Sequence, residues 1–287
     1  MLPLVIVVGT GRSGTSTLWR IFLNTFNYAM AYEPRFVIPY SREQHGDLKQ
    51  LANQRRLLER IAPELNHEID WDFDAALREV VSPDYGSVVL AGLRFIAGVQ
   101  SKSGIGWKDP SDSYHMRDLA KLFPSAKFVH IMRNAHDVAA SLVSRTWGPT
   151  NLYTGGLYWS RTIEEIWRAK ESLPGRFHEV RFEDLFERPE PTAEALATFI
   201  DSPMAPKLVN YIQRRREADR ILAWKRNMSR DGRRLVEAAA QQTLITAGYD
   251  TEFHGQAKIS SAEAGWLVAT DFCRRGARRA RRQLAQK

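Results

Sequence analysis

With one cysteine in 287 residues, Cys273, the chain cannot form an internal disulfide, and its fold must rest on an apolar core. It also lacks apolar runs longer than a strand, which excludes a transmembrane helix. Neither a basic leader nor a small-residue cleavage site opens it, so no secretion signal is expected and a reducing cytoplasm is the expected compartment. No His/Cys spacing suits a metal, and none is expected. There are no internal repeats and no low-complexity linker. Acidic residues are missing from the last 15 positions, Cys273 to Lys287. Six arginines there (274, 275, 278, 279, 281 and 282) and Lys287 account for all but one of the net charge of +8. The rest of the chain is nearly neutral, which argues against a nucleic-acid-binding body.

What is present suits a large α/β domain: 44% of residues are hydrophobic, enough to fill a core. Leu4–Val8 reads as a buried strand and Thr15–Phe26 as a helix. Further strands are expected at Ile105–Lys108, Lys127–Met132 and Phe177–Phe182. Helices are expected at Tyr114–Phe123 (capped by Asp112), at His136–Ser144 and at Gly155–Glu171, with a mostly helical stretch from Glu190 to Ala247 stopped by Gly248. Such alternation predicts a three-layer α/β/α fold around a central parallel sheet. A polar, helix-prone insertion is expected at about 43–80, as a helical cap. The domain is expected to span 1–249, and 250–287 to be a loop followed by a basic helix with Trp266, Leu267 and Phe272 on its apolar side.

The loop Gly9-Thr10-Gly11-Arg12-Ser13-Gly14-Thr15-Ser16 lies between the first strand and the first helix. Strand, glycine-rich turn and helix together form a phosphate cradle. Glycines let backbone N–H groups approach an anion, and the helix N-terminus adds about half a positive charge. Gly9 and Gly14 keep the spacing of a nucleoside triphosphate loop, but Thr15 stands where its lysine belongs and the cation is Arg12. ATP or GTP hydrolysis is therefore disfavoured. A second signal is Arg133-Asn134-Ala135-His136-Asp137 through Ser141. Arg133 leaves the carboxyl end of a buried strand, where ligands of open parallel sheets bind. Its guanidinium can fork onto a phosphate, or pair with Asp137 at the surface. Ser141 adds a hydroxyl, and Arg145 follows one helical turn later.

Together the two motifs resemble the sulfotransferases that use 3′-phosphoadenosine 5′-phosphosulfate (PAPS), nearest the tyrosylprotein sulfotransferase branch and its bacterial relatives. The likeness is good over about residues 4–145 and thin to about 249. It implies that Gly11, Arg12, Ser13, Gly14, Thr15 and Ser16 hold the 5′-phosphosulfate and that Arg133, Ser141 and Arg145 bind the 3′-phosphate. Glu33, in Tyr32-Glu33-Pro34-Arg35, falls where the branch carries its general base, and Lys108-Asp109-Pro110 matches its catalytic-lysine motif. Phe182 replaces a tyrosine often found near the nucleotide, and Ala135 a proline. Lys225 and Arg226 fall in a loose match to a late segment that helps to close over the nucleotide. The branch's membrane anchor and disulfides have no counterpart here.

The residue types fit the chemistry. Sulfuryl transfer resembles phosphoryl transfer, an in-line displacement in which positioning and electrostatics do most of the work. Arg12 would hold the moving group, Lys108 would offset charge on the leaving phosphate and Glu33 would take the acceptor proton. His67 is the reserve base; His130 reads as a core histidine. The acceptor is a hydroxyl-bearing molecule, a glycan or glycolipid first and a phenol or tyrosine second. Arg35, Trp107 and Trp147 are candidate acceptor contacts. The basic tail suggests an anionic membrane surface as a partner, making the protein peripheral; a solvated tail is the alternative. A displaced-cation nucleotide kinase and a non-catalytic nucleotide-binding module are the competing functions.

Overall fold

The computed structural model describes residues 2–214 and 221–285. The chain divides into two compact units. One comprises Met1–Gly9, Gly14–Ile131 and Arg168–Arg215; the other comprises Thr10–Ser13, Met132–Trp167 and Arg216–Lys287.

The first unit holds a five-stranded sheet. Its strands are β1 (Leu4–Val8), β2 (Tyr28–Tyr32), β3 (Gly104–Lys108), β4 (Lys127–Met132, whose last residue falls in the other unit) and β5 (Phe177–Arg181), in the order β2-β3-β1-β4-β5. β1 is Leu-Val-Ile-Val-Val and wholly buried, as a strand inside a parallel sheet should be. It runs parallel to β3 (Val7 opposite Lys108) and to β4 (Val8 opposite His130), and β2 runs parallel to β3 with Tyr32 opposite Lys108. The ends of β1, β2 and β3 therefore share one edge of the sheet.

Helix Thr15–Asn24 packs on β1, β2 and β3, and helix Tyr85–Val99 packs on β2 and β3. The region expected to be a helical insertion contains helices Leu51–Leu65 and Phe73–Leu77, which pack on Tyr85–Val99. Asp72 and Asp84 accept from the backbone N–H groups of Ala75 and Ser87, capping two of these helices. One expectation is corrected. Asp112 does not cap a helix from Tyr114: Asp109 accepts from Ser111 N–H and Pro110 opens a 3-10 turn to Tyr114, so the helix is Met116–Leu122. Asp112 points inward instead.

The second unit is helical: Ala135–Val143, most of Leu152–Lys170, Trp224–Asn227, Arg230–Thr246 and Ser261–Ala285. Its core joins Leu142, Trp159, Trp224, Val236 and Leu244. Trp159 donates its indole N–H to the Arg133 carbonyl at 2.9 Å, which fixes the chain where it leaves β4. Gly248, at φ +70°, closes helix Arg230–Thr246, and Tyr249 N–H returns to the Leu244 carbonyl.

Candidate active site

Gly14 begins helix Thr15–Asn24 at φ +109°, and its carbonyl accepts from the N–H groups of Thr17 and Leu18. A side chain at Gly14 would place Cβ 2.5 Å from Phe182 Cδ2 and 3.1 Å from Ile131 Cδ1. Phe182 is buried, so it supports the helix start from below and has no free face toward a nucleotide. The turn before Gly14 is tied by Ser13, whose N–H and hydroxyl both reach the Thr10 carbonyl, at 3.1 and 2.7 Å. Arg12, at φ +74°, occupies the left-handed region that few non-glycine residues adopt. Trp147, half exposed, lies over Gly11, where a Cβ would be 3.2 Å from the indole.

Within the second unit Arg12 is brought against the helix Ala135–Val143, two turns in. Its Nε donates to Ser141 Oγ at 2.9 Å. Both residues line a cavity of about 820 Å³ together with Arg133, Trp224, Asn227 and Ser229. Arg133 is nearly buried, and its Nη2 lies 3.3 Å from Asp137 Oδ2. The pairing with Asp137 and the cavity-lining position thus coexist. Burial pushes the Asp137 carboxyl above its usual value, although Arg133 and the Trp224 N–H (2.9 Å) pull the other way. Trp224 stacks on His136, ring centroids 4.1 Å apart. His136 is fully buried, with Nδ1 3.0 Å from Asn134 Oδ1 and Nε2 3.3 Å from Glu237 Oε1. Burial raises the Glu237 carboxyl, but the contact with His136 and the N–H groups of Phe253 and Glu252 bring it below its usual value. Arg133 and Ser141, a guanidinium and a hydroxyl lining one cavity, suit a phosphate monoester, and Arg12 lines the same cavity. Lys225 and Arg226 are exposed, and this stretch lines the cavity through Ala223 and Trp224 instead. Arg145 is exposed, and its carbonyl accepts from Arg278.

In the first unit the parallel register of β2 and β3 builds a second constellation. Glu33 follows β2 at φ +52°, and its N–H donates to the Lys108 carbonyl at 2.7 Å. That hydrogen bond turns the carboxylate onto the Lys108 ammonium, Oε1 to Nζ 2.6 Å. Arg35 Nη2 lies 3.3 Å from the other oxygen. Lys108 is 1% exposed in its side chain and Glu33 26%. Burial raises the Glu33 carboxyl, but the hydrogen bond and charge of Lys108, then those of Arg35, bring it below the usual value. Lys108 Nζ also lies 3.5 Å from the centre of the Tyr32 ring, and the Tyr32 hydroxyl is 3.1 Å from Ser16 Oγ. Burial raises the Tyr32 phenol, and Ser16 and Lys108 lower it further than burial lifts it.

Tyr32 is absent from the sequence-derived site. Its signal was its place at the sheet edge one residue before Glu33, visible only once β2 is recognised. It forms one wall of a recess of about 470 Å³ with Trp19, Leu93, Ile96, Glu64 and His67. His67 thus faces this recess. Trp107 is corrected as an acceptor contact: it is fully buried, donates to Asp112 Oδ2 at 2.7 Å and packs edge-on against Phe123. His130 is a core histidine as expected, with Nδ1 2.9 Å from Glu179 Oε2. Among the described residues, no three His, Cys, Asp or Glu side chains converge as metal ligands, and no helix is long and apolar enough to cross a membrane.

Comparisons with known proteins agree on one family. A sequence model described as the sulfotransferase family matches residues 3–206. A putative protein-tyrosine sulfotransferase of Caenorhabditis briggsae is 22% identical over 218 residues, covering 72% of this chain and 69% of the relative. One of Caenorhabditis elegans is 22% identical over 109 residues, covering 36% of this chain and 42% of that protein. Among solved structures, the sulfotransferase domain from the curacin biosynthetic pathway superposes with a TM-score of 0.56 at 14% identity, over 88% of this chain and 99% of its own. The sulfotransferase domain from the olefin synthase of Synechococcus PCC 7002 gives 0.55 at 18% identity, over 86% and 95%. At these identities the structures speak for the fold.

Proposed function

The chain belongs to the sulfotransferase family, and from that premise we propose that it moves the sulfuryl group of PAPS onto an acceptor hydroxyl. The observation that carries the reading is the Glu33–Lys108 pair: a fully buried lysine held against a half-buried carboxylate by two backbone positions. A module that only bound nucleotide would have no use for either group. PAPS supplies an activated sulfuryl group on a phosphate leaving group. The N–H groups of Gly11, Arg12 and Gly14 to Ser16 and the Arg12 guanidinium hold the phosphosulfate, while Ser13 ties the turn that presents them. Arg133 and Ser141 take the 3′-phosphate, with Arg145, Lys225 and Arg226 as outer cations. Lys108 offsets charge on the leaving phosphate. Glu33, a carboxylate held ionised by Lys108 and Arg35, accepts the acceptor proton. The donor set fits a doubly phosphorylated nucleotide without a metal, since the protein supplies the cations.

The recess beside Tyr32 is the proposed acceptor site. Trp19 and Tyr32 offer aromatic rings to a sugar or phenol, and Glu64 and His67 offer polar contacts. Arg35 and Trp147 remain candidates for outer contacts. A glycan or glycolipid hydroxyl is the first acceptor class. The names of the two nematode relatives favour a second, a tyrosine side chain. The catalytic domain is proposed to span 1–249, with 250–287 as an appendage.

The test is transfer of radiolabelled sulfuryl from PAPS to a panel of glycolipids, oligosaccharides and tyrosine peptides. Glu33→Gln should cut turnover roughly 10²–10⁴-fold while leaving donor affinity nearly unchanged. Equal turnover by Glu33→Gln and the natural chain would remove Glu33 from the chemistry. Donor binding without transfer to any acceptor would favour the binding module.

A further inference from the structure

The last helix, Ser261–Ala285, is held to its own unit at its first turn, where Glu263 pairs with Arg234 at 2.7 Å, and beyond it along one strip. Leu267 is buried, and its carbonyl accepts from Asn151 Nδ2 at 2.9 Å. Asp271 is buried and accepts from the Thr150 N–H, and Arg278 donates to the Arg145 carbonyl at 3.2 Å. At about 100° per residue these three positions fall on one line of the helix. The opposite side carries Trp266, Ala269, Phe272, Cys273, Gly276 and Ala280, within a sector of roughly 140° that contains no charged residue. All six are exposed, with Trp266 at 62% and Phe272 at 78%. Arginines border this sector on both sides: Arg275 and Arg279 on one, Arg274 and Arg281 on the other.

We propose that this face is a membrane-interfacial surface that lies on an anionic lipid bilayer. An apolar strip with an indole and a phenyl ring, edged by guanidinium groups and backed by a docked strip, is the arrangement that lets rings enter the acyl boundary while cations stay among lipid phosphates. Nucleic acid would use the arginines and leave Phe272 in water. A second copy of the chain would set arginine rows against each other. With no acidic residue after Asp271, the segment carries only positive charge toward its partner. The inference is independent of the donor assignment. It would bring the enzyme to lipid-linked acceptors.

The test is co-sedimentation of the full chain with vesicles of phosphatidylcholine alone and with one-third phosphatidylglycerol, at moderate salt. Binding should need the anionic lipid. It should fall about tenfold or more in Arg279→Gln/Arg281→Gln, and comparably in Trp266→Ser/Phe272→Ser. Because these side chains are exposed, thermal unfolding should match the natural chain and certify the fold. As an independent reading, brominated lipid should quench a part of the fluorescence that is missing in Trp266→Phe. Absent binding, or equal binding to neutral and anionic vesicles, would overturn the proposal. So would undiminished binding by Trp266→Ser/Phe272→Ser, particularly if the arginines also retained duplex DNA. A concentration-dependent dimer abolished by Phe272→Ser would assign the face to a second copy and overturn it equally.

Discussion

Replacing Gly14 by alanine tests the architecture of the turn that opens helix Thr15–Asn24. At φ +109° an L-residue pays a conformational cost of about 1–2 kcal/mol whatever the space around it. The new Cβ would also stand 2.5 Å from Phe182 Cδ2, and both Phe182 and Ile131 are buried side chains that can yield only by shifting. Overpacking of that kind costs about 1–3 kcal/mol. Gly14→Ala should therefore destabilise the chain by about 2–5 kcal/mol in urea titration and weaken binding of adenosine 3′,5′-bisphosphate. The clash term can be isolated. Phe182→Ala alone leaves a cavity and costs about 3–5 kcal/mol, but combined with Gly14→Ala it removes the obstacle. The double variant should fall short of the summed costs by about 1–3 kcal/mol. Additivity of the two changes would refute the packing of Gly14 on Phe182. A Gly14→Ala cost below about 0.5 kcal/mol would refute the left-handed helix start itself.

Two further predictions concern protons. Because the Glu33 pKa is lowered by Lys108 and Arg35 beyond what burial adds, kcat/KM should show no acidic limb from Glu33 between pH 5 and 8; the carboxylate protonates only below the usual carboxylate range. The stabilisation from the Glu33–Lys108 pair is present above the unfolded carboxylate pKa and is lost as pH falls through the lower folded value. An acidic limb near pH 6 that disappears in Glu33→Gln would contradict this. Asp112 behaves oppositely. Burial, then the charge of Asp109, pushes its pKa up to about 8, with the Trp107 N–H opposing. The folded state therefore holds a proton that the unfolded chain releases above about 3.9, so stability should fall as pH rises toward 8. Asp112→Asn keeps an acceptor for Trp107 and should flatten that decline in a series of thermal melts. An unchanged slope would refute it.

How far the site could be read in advance depended on whether its parts were local. The loop from Gly9 to Ser16 and the exit of β4 at Arg133 are continuous in sequence, and apolar strand, turn residues and helix announce themselves there. The strand Tyr28–Tyr32 did not. Tyr-Ala-Met-Ala-Tyr has no β-branched residue and no polar alternation, and it lies at the sheet edge, so tertiary pairing with β3 decides its conformation. Because β2 was hidden, so was the register that sets Glu33 against Lys108, 75 positions away, and with it the place of Tyr32. Trp107 is hidden by strand alternation: one residue before Lys108, it faces the other side of β3, where Asp112 and Phe123 enclose it. The stack of Trp224 on His136 joins residues 88 positions apart through helix packing, which local pattern does not encode.

The proposed function requires a nucleotide bearing both a 5′- and a 3′-phosphate to bind this chain. Calorimetric titration with adenosine 3′,5′-bisphosphate, against ATP with and without Mg²⁺, measures that binding. The bisphosphate should bind without metal and in preference to ATP, and its binding should be lost in Arg133→Ala, because Arg133 lines the cavity with Arg12 and Ser141. Preference for ATP with Mg²⁺, or bisphosphate binding indifferent to Arg133→Ala, would contradict it.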